Sequence, residues 1–309
     1  MASVSQKQLL LGTAQWGWTV PRAEAFRLLD RWLAAGHTHI DAATNYPINK
    51  QAADFRASEK LIREYLHAHG LHHLQITVKI GSLNNLRTPD INLEASFIRM
   101  ISEEYRRLFG ENLSTVMLHW DNRQEASAIR RSLEALAGVR QQWGIRLGLS
   151  GLRHPDIHAA LAEELGLAFD IQLKHNVLQS DLERYAAFFD KGGPHRFFAY
   201  GINAGGAKLG GPYPAGSTFL ARGGDPDKSA ADLARISQRL PEWNTAFARP
   251  PVQTMNHLGL IYAGLHQRLD GLVLGFSSLA QLEASLDYWR NLELFDYQDV
   301  LTDIKKMAG

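Results

Sequence analysis

The chain has 309 residues, and its 33 lysines and arginines against 32 aspartates and glutamates give a formal charge of +1. This near-zero charge gives no electrostatic reason to expect a nucleic acid or an anionic membrane as a partner. Because the sequence contains no cysteine, disulfides, thiolate zinc sites, cysteine nucleophiles and cysteine-ligated iron–sulfur clusters are excluded.

The apolar runs of the sequence are too short for a targeting or membrane segment. The opening MASVSQKQLLLGTAQ has three consecutive leucines and lacks the longer apolar core of a secretory signal. The most apolar stretch, Leu258–Leu265, is followed at once by polar residues and is too short to cross a bilayer. We therefore expect an intracellular, cytoplasmic protein that makes no use of a membrane.

Eight short apolar runs, each bounded by turn or polar residues, follow one another along the chain. This pattern is typical of buried parallel strands. The predicted strands are Leu9–Thr13, His37–Asp41, Gln75–Ile80, Thr115–His119, Ile145–Ser150, Phe169–Lys174, Arg196–Tyr200 and Gly271–Gly275.

Segments with helical spacing separate these strands. In the first of them, Ala25, Leu28, Leu29, Trp32 and Leu33 fall on one face. The others run over about Arg56–His69, Asn92–Phe109, Gln124–Trp143, Pro155–Leu165, Asp181–Asp190, Val252–Arg268 and Leu279–Arg290.

Strands that alternate with helices in this way predict a (βα)8 barrel, also called a TIM barrel. The competing fold, a doubly wound open sheet, usually has G-x-G-x-x-G after its first strand, whereas the turn here reads GTAQWGW. No shift in composition marks a second domain, so we expect one barrel domain over residues 1–309. The stretch from about Gly201 to Pro250, after the seventh strand, is rich in Gly and Pro and is predicted to be a long functional loop.

Reactive side chains stand at neighbouring strand ends, where barrel enzymes carry their chemistry. Asp41, Lys79 and His119 end three consecutive predicted strands, and Tyr46 follows on the loop after the second strand. A tyrosine is a weak acid at neutral pH, and a lysine cation beside it stabilises the phenolate and lowers the pKa. A carboxylate keeps that lysine charged, and an imidazole can position an oxygen in front of the phenol. The set therefore suits protonation of an oxygen on which negative charge develops.

Each of these residues also has a simpler interpretation. An Asp at a strand end commonly caps a turn, a buried Tyr commonly packs, and Lys79 can pair with a surface carboxylate. Their joint occurrence at the ends of neighbouring strands favours the catalytic interpretation.

The sequence resembles the aldo-keto reductase superfamily over nearly its whole length. LLLGTAQWG is similar to the family's opening strand and turn, GHTHIDAATNYP with ASEKLI to its second-strand block, and VKIG and MLHW to its lysine and histidine strands. The resemblance implies reversible hydride transfer between a nicotinamide cofactor and a carbonyl or alcohol, without a metal. It implies Tyr46 as general acid and base, assisted by Lys79 and Asp41, while His119 orients the carbonyl.

The resemblance extends to the blocks that bind the cofactor. LGLSG places Ser150 against the nicotinamide amide, with Gly151 where the family usually has Asn. Gln172 matches the family's amide-binding glutamine, and Tyr200 matches the aromatic residue that stacks on the nicotinamide ring. AGGAKLGG resembles the loop that crosses the pyrophosphate, and LGFSSLAQLEASL the block whose helix start holds the adenosine phosphate. The implied cofactor-binding residues are Gly12, Thr13, Ser150, Gln172, Tyr200, Gly201, Gly205, Gly206, Lys208, Gly275, Ser277, Ser278 and Gln281.

The last of these blocks can also be interpreted without the resemblance. Ser277 or Ser278, after Gly275, predicts a helix N-terminus whose free backbone N–H groups and dipole favour an anion. A plain N-cap without a ligand is the alternative.

The expected cofactor is NADP, with NAD as the alternative. NADP-dependent relatives place a basic side chain close after the glycine of the eighth strand, whereas this chain has no cation between Gly275 and Arg290. A preference for NADPH below about tenfold is therefore expected. A larger preference would require Lys208, Arg222 or Lys228 to compensate from the long loop.

The substrate is expected to be a small carbonyl compound or alcohol. Trp18 and Trp120 lie in loops near the predicted mouth and can wall an apolar pocket, with loop packing as the alternative. Two other functions stay open: a cofactor-binding regulatory or structural subunit with little turnover, and a Schiff-base lyase that uses Lys174 or Lys79. A histidine group at the end of the second helix is interpreted as a solvated helix end rather than a metal site. Its members are His67, His69, His72 and His73.

Overall fold

The computed structural model of the protein describes residues 4–86, 90–190, 193–214 and 217–308. Within these residues, eight strands form a parallel sheet in which each strand pairs with the next along the chain. The first strand also pairs with the eighth, which closes the barrel and confirms the predicted (βα)8 fold. The strands are β1 Gln8–Gly12, β2 His39–Ala43, β3 Gln75–Ile80, β4 Leu113–His119, β5 Arg146–Ser150, β6 Asp170–Asn176, β7 Arg196–Tyr200 and β8 Gly271–Gly275, and a two-residue strand, Gln179–Ser180, pairs antiparallel with the end of β6.

Helices between the strands bury their apolar faces against the barrel. In the first helix, Ala25, Leu28, Leu29 and Trp32 are buried, as their spacing predicted. The helices are α1 Arg22–Ala34, α2 Ala57–His69, α3 Ala95–Phe109, α4 Ala126–Trp143, α5 Pro155–Glu164, α6 Ala186–Asp190, α7 Thr218–Ala221, α8 Pro226–Thr245, α9 Met255–Gly264, α10 Leu279–Leu294 and α11 Gln298–Ala308, with 3-10 turns at Val4–Gln6, Ala52–Asp54, Gly110–Asn112 and Leu182–Tyr185.

Strand β2 begins two residues later than predicted. The reason is that His37 belongs to the turn that ends α1: its backbone N–H bonds to the Trp32 carbonyl at 3.2 Å, and the two rings lie 4.5 Å apart. Asp41 therefore lies in the middle of β2, where its side chain is enclosed by neighbouring strands, and not at the strand's end.

The stretch between residues 201 and 250 is less irregular than predicted, because its second half forms α8. The sequence ARGGDPDK suggested a loop, but Asp225 is the N-cap of this helix and accepts the N–H groups of Asp227 and Lys228 at 3.0 and 3.4 Å. Pro226 occupies the first helical position, where its missing N–H has no cost. The buried residues of α8 are Leu233, Ile236 and Trp243.

Helix α11, which the sequence did not predict, packs beside α8. Asp303 accepts hydrogen bonds from Trp243 Nε1 at 3.0 Å and from Arg239 at 2.5 Å. These bonds attach α8 to α11 in the layer of helices outside the barrel.

The amino end of the barrel is closed by an ion-pair cluster that we call the floor, formed by Arg146, Asp170 and Arg196 at the starts of β5, β6 and β7. Both guanidinium groups donate two hydrogen bonds to Asp170, at 2.6 to 2.9 Å. Burial favours the protonated carboxyl, but the bonds from the two arginines outweigh it and hold the pKa of Asp170 below its usual value. The floor carboxylate is therefore charged and fully paired.

Candidate active site

At the carboxyl side of the barrel, the structure brings Asp41, Lys79 and Tyr46 together. Lys79 Nζ donates to the Asp41 carboxylate, and both side chains are 2% exposed. The same ammonium group lies 5.0 Å from the centroid of the Tyr46 ring. We call this end of the barrel the mouth.

Asp41 is also held from the opposite wall of the barrel. Gln172, in β6, donates its Nε2 to Asp41 Oδ1 at 2.5 Å, so the carboxylate links β2 to both β3 and β6. Burial opposes the charge of Lys79, but Asp41 and Tyr46 outweigh it and raise the lysine pKa above 10.5. Lys79 is therefore a permanent cation, and one of the two amide hydrogens of Gln172 is engaged by Asp41.

Tyr46 is a neutral phenol at physiological pH. Burial raises its pKa, and the charge of Lys79, which acts in the opposite direction, does not cancel that effect. The charge of Lys79 thus lowers the Tyr46 pKa, as the sequence predicted. The net change in this pKa is nevertheless upward, because desolvation of the phenolate dominates. A neutral phenol keeps the proton that an acid catalyst must donate.

Asn85, on the loop after β3, fixes the loop that carries Tyr46. Its Nδ2 lies 3.2 Å from the Pro47 carbonyl, 3.0 Å from Asn49 Oδ1 and 2.8 Å from the Gln51 carbonyl. Asn85 is 1% exposed, so it is a buried link between two loops at the mouth. Sequence analysis missed this residue because no local motif marks a contact between loops.

His119 ends β4 as a neutral imidazole. It is 4% exposed, and burial, aided by the charge of Lys79, holds its pKa well below 6.5. Its Nδ1 is buried and has no hydrogen-bond partner among the described residues. A neutral imidazole has one donor and one acceptor nitrogen, so His119 has hydrogen-bonding capacity left for a ligand.

Trp120 packs over His119 in a space that Gly151 leaves open. The His119 and Trp120 rings are 4.4 Å apart, and the Trp120 backbone has φ of 59°, which is uncommon for a large residue. A Cβ on Gly151 would lie 2.3 Å from Trp120 Cδ1, so the Asn that the resemblance suggests here would collide with the indole. Trp18, the other predicted pocket residue, is partly buried on the loop after β1.

Gly12 and Gly275 are register partners at the ends of β1 and β8. Among the described residues, a Cβ on Gly275 would approach only the Gly12 carbonyl, at 3.8 Å, so the backbone is open here. Thr13 is fully buried; its hydroxyl donates to the Asp41 carbonyl at 3.0 Å and accepts from Ser58 at 2.8 Å. The Thr13 side chain is thus used inside the fold, between β1, β2 and α2.

Ser150, Gln172 and Tyr200 lie around the same mouth. In the strand register, Ser150 stands between His119 and Gln172. Tyr200 is partly buried at the end of β7. Burial is the main cause that raises the pKa of Tyr200, and Tyr46 is among the neighbours that raise it further. A hydroxyl, an amide and an aromatic ring therefore lie on three consecutive strands at this end of the barrel.

The segment after β7 brings both backbone and a charged side chain to the mouth, because the charge of Arg222 acts on Tyr46 and opposes the larger rise that burial causes in its pKa. Gly205 and Gly206 have φ of 76° and 98°, a left-handed conformation that favours glycine. The carbonyl of Gly201 accepts a hydrogen bond from Asn176, which anchors the beginning of the loop. Lys208 is exposed and donates to the Pro212 carbonyl of the same loop at 3.3 Å.

The start of α10 differs from the prediction of free N–H groups. Ser278 is the N-cap and accepts the Gln281 N–H at 3.3 Å, while Gln281 Oε1 accepts the N–H and hydroxyl of Ser277 at 3.0 and 2.9 Å. The Leu279 N–H donates to Glu24, a residue of α1 that sequence analysis did not connect with this site. Two N–H groups of the first helical turn, those of Leu279 and Gln281, are therefore already bonded to side chains of the protein.

The groups at the mouth fit a nicotinamide dinucleotide. The His119 imidazole, whose Nδ1 has no partner among the described residues, the ring of Tyr200 and the open backbone at Gly275 offer a polar group, a flat surface and room for a ligand. Among the described residues, no group of three or more His, Asp or Glu side chains could hold a metal ion. No helix within those residues is long and apolar enough to cross a membrane.

Comparisons with known proteins give a consistent result. The sequence matches the model of the Aldo/keto reductase family over residues 8–306. None of the curated proteins compared matches it. Among solved structures, the aldo-keto reductase AKR11C1 from Bacillus halodurans, in its holo form, is similar with a TM-score of 0.71 and 17% identity, covering 98% of this chain and 92% of that one. At this identity the structural likeness concerns the fold.

Proposed function

The chain belongs to the aldo/keto reductase family of oxidoreductases, and we propose that it reversibly reduces a small aldehyde or ketone to the alcohol with NAD(P)H. The observation that carries the proposal is a neutral Tyr46 beside the permanent cation Lys79 at the mouth of the barrel. A cytoplasmic location belongs to the same proposal.

Tyr46 is the proton donor in the proposed reduction. As negative charge develops on the carbonyl oxygen, the Tyr46 hydroxyl gives up its proton, and the phenolate that remains is stabilised by Lys79. Asp41 keeps Lys79 charged and restricts its position through their buried ion pair. In the oxidation of an alcohol, the same phenolate takes the proton back.

His119 and Trp120 position the substrate. Because the imidazole is neutral, it can donate one hydrogen bond to the carbonyl oxygen without bringing a second positive charge next to Lys79. The Trp120 indole, packed on that imidazole, provides an apolar wall that excludes water from one side.

The cofactor is proposed to lie along the ends of β5 to β8. A bound nicotinamide supplies the hydride. Ser150, Gln172 and Tyr200 would hold it, and the glycines of the loop after β7 would let the backbone approach the pyrophosphate. Because Gln172 already donates to Asp41, its carbonyl oxygen is the group left to accept a hydrogen bond from the nicotinamide amide.

Schiff-base chemistry has less support. A lysine must lose its proton to attack a carbonyl, and the raised pKa of Lys79 keeps it protonated. Lys174, the other candidate for a Schiff base, donates a hydrogen bond from its ammonium group to Gln179 Oε1 at 3.3 Å.

The proposal is tested by titrating the protein with NADH and NADPH, followed by a panel of carbonyl substrates at saturating cofactor. We expect saturable binding of at least one dinucleotide and oxidation of that cofactor when a carbonyl is added. Binding without turnover on any carbonyl would instead favour the regulatory subunit, and absence of binding by both dinucleotides would eliminate the oxidoreductase function.

A further inference from the structure

The start of α2 holds the backbone of Tyr46. Ser58, the second residue of this helix, donates its backbone N–H to the Tyr46 carbonyl at 3.4 Å. The first N–H groups of a helix have no partner within the helix, so this one is free to bind a loop. The same helix start packs on the loop after β1, because Ala57 Cβ lies 3.0 Å from where a Cβ on Gly17 would be. The helix thus connects the loop that carries Tyr46 to the loop after β1.

The Ser58 side chain extends this connection to β2. Its hydroxyl oxygen lies 2.8 Å from Thr13 Oγ1 and 3.1 Å from the Thr13 carbonyl, and either oxygen can accept its proton. The Thr13 hydroxyl donates its own proton to the Asp41 carbonyl at 3.0 Å, and the Thr13 N–H bonds to the same carbonyl at 3.1 Å. A path of hydrogen bonds therefore runs from the Tyr46 carbonyl through Ser58 and Thr13 to the backbone of Asp41.

The two hydroxyl groups of this path are shielded from water. Ser58 and Thr13 are both 0% exposed. Because no solvent reaches them, removing one hydroxyl group leaves its buried partner without a replacement. A hydroxyl group has one proton to donate, and Thr13 donates that proton to Asp41. The Thr13 side chain therefore has no donor left for a ligand at the mouth.

The path connects the groups that the proposed proton transfer uses. Lys79 is bonded to the Asp41 carboxylate, so a fixed Asp41 also fixes the ammonium group. The centroid of the Tyr46 ring lies 5.0 Å from Lys79 Nζ. A shift of the Tyr46 backbone relative to Asp41 would therefore change the distance between the phenol and the ammonium group.

Building on the proposed oxidoreductase function, we propose that Thr13 and Ser58 are positioning residues that hold the Tyr46 phenol in its place beside the Asp41–Lys79 pair. Thr13 acts through this path and does not bind the cofactor, to which the resemblance assigns it. Proton donation depends steeply on geometry, and an error of about 1 Å in the position of a reacting group can slow a reaction by about 100-fold. Loss of either hydroxyl group is therefore expected to slow turnover without weakening the binding of ligands.

The test compares variants that remove or keep these hydroxyl groups. Thr13→Val replaces the hydroxyl by a methyl group of similar size, Thr13→Ser keeps the hydroxyl, and Ser58→Ala removes its partner. Ser114→Ala is the matched control, since the Ser114 hydroxyl also donates to a carbonyl of a neighbouring strand, that of Ile76 at 3.2 Å, but at the amino end of the barrel. Steady-state kinetics gives kcat and KM, calorimetry gives the dissociation constant of the dinucleotide, and a thermal melt gives the folded fraction.

We expect Thr13→Val and Ser58→Ala to lower kcat per folded molecule by at least about tenfold, while KM and the dissociation constant of the dinucleotide stay within about threefold. Thr13→Ser should recover most of the lost rate, and Ser114→Ala should keep the kcat of the parent even where its melting temperature falls. Adding Thr13→Val to Tyr46→Phe should change the small residual rate by less than about twofold, because the path then has no proton donor to position.

A parent-like kcat in both Thr13→Val and Ser58→Ala overturns the positioning role while the oxidoreductase function stands. If Thr13→Val instead weakens dinucleotide binding by more than about tenfold at an unchanged kcat, Thr13 contacts the cofactor and the inference is equally overturned. An equal loss of rate in the presence and absence of the Tyr46 hydroxyl shows that the path does not act through the phenol. Should Thr13→Val not fold, Ser58→Ala gives the same decision. If the parent itself turns over no carbonyl, the proposed function fails and this inference fails with it.

Discussion

The mouth and the floor of the barrel each bury a carboxylate beside cations, and the two carboxylates are used differently. At the floor, Asp170 receives four hydrogen bonds from two arginines. At the mouth, Asp41 accepts one hydrogen bond from the Lys79 ammonium group and one from the Gln172 amide. The ammonium group also lies next to the Tyr46 ring. At the floor, the charge of Asp170 is fully paired within the cluster. At the mouth, the charge of Lys79 also acts on Tyr46, a group that can exchange a proton.

The second difference concerns unused hydrogen-bonding capacity. Buried polar groups are nearly always paired, because an unpaired one costs about 1–3 kcal/mol. Asp170 meets this rule at the floor, while His119 at the mouth keeps an unpartnered Nδ1 among the described residues. Unpartnered buried atoms also occur elsewhere among the described residues, for example Asn112 Oδ1 and His175 Nε2, so the mouth is distinguished by an unpartnered imidazole together with a buried ion pair beside a tyrosine.

Tyr46→Phe should have the largest effect and should act on rate alone. Loss of the proton donor is expected to reduce carbonyl reduction by about 10²–10⁴-fold, while removal of one hydroxyl leaves the packing intact. Tyr297→Phe is the matched control, since its hydroxyl donates to the Pro250 carbonyl outside the barrel. Steady-state kinetics and thermal melts on both variants check this. A Tyr46→Phe enzyme as fast as the parent would refute the assignment of Tyr46.

The same substitution should lower stability at both ends of the barrel but slow turnover only at the mouth. Asp170→Asn leaves two arginines without their carboxylate and should lower the free energy of unfolding by about 2–3 kcal/mol. This is less than for a fully buried pair, because the arginine side chains are 47% and 33% exposed. Asp41→Asn breaks a pair in which both side chains are only 2% exposed, so it should lower the free energy of unfolding by more, about 3–5 kcal/mol, and it should also slow turnover per folded molecule, though less than Tyr46→Phe does. Urea unfolding and turnover per folded molecule measure both; a slow but stable Asp170→Asn would remove the distinction between the two ends.

Gly151→Ala should disturb the mouth through Trp120. Gly144 is the matched control, because it has φ of 67° against 68° for Gly151 but no atom within 4 Å of an added Cβ. Both variants should lose about 1–2 kcal/mol to left-handed backbone strain. Gly151→Ala should lose more and should alter tryptophan fluorescence and the KM of apolar carbonyls, because the indole must move. Equal behaviour of the two variants would mean that the Trp120 position does not depend on Gly151.

The smallest effect should be the response of turnover to mild acid. Because the pKa of His119 lies well below 6.5, lowering the pH from 7.5 to 5.5 should leave it neutral. A histidine with an ordinary pKa would be about nine-tenths protonated at the lower pH. We expect kcat to change by less than about twofold over this range on account of His119. An acid limb centred near 6.5 that disappears in His119→Gln would show that the imidazole is more exposed to water than it is in the structure.

The sequence predicted those parts of the molecule that depend on residues close together in the chain. The alternation of short apolar runs with amphipathic segments indicated the barrel, and the spacing of Asp41 and Tyr46 marked one loop of the mouth. Helix α8 was missed because the Gly and Pro residues before it obscured an N-cap followed by proline. The buried residues of that helix, Leu233, Ile236 and Trp243, do recur at helical spacing in the sequence.

Contacts between distant segments could not be predicted in the same way. Asn85 acts on a loop more than thirty residues away, and Glu24 reaches the start of α10 across 255 residues. Neither residue belongs to a motif, so only the closed barrel brings it to its partner. The net direction of the Tyr46 pKa shift also required the structure, because it depends on a balance between burial and the Lys79 charge.

The bonds that tie α8 to α11 constrain the order in which the protein can assemble during synthesis. Arg239 and Trp243 are made 64 and 60 residues before their shared partner Asp303. A nascent chain that ends after β8 therefore has all eight strands but lacks Asp303, the acceptor that Arg239 and Trp243 share. The hydrogen bonds between α8 and α11 form only after α11 has been synthesised, so a chain stopped after α10 should be cut by protease within α8 more readily than the full chain is.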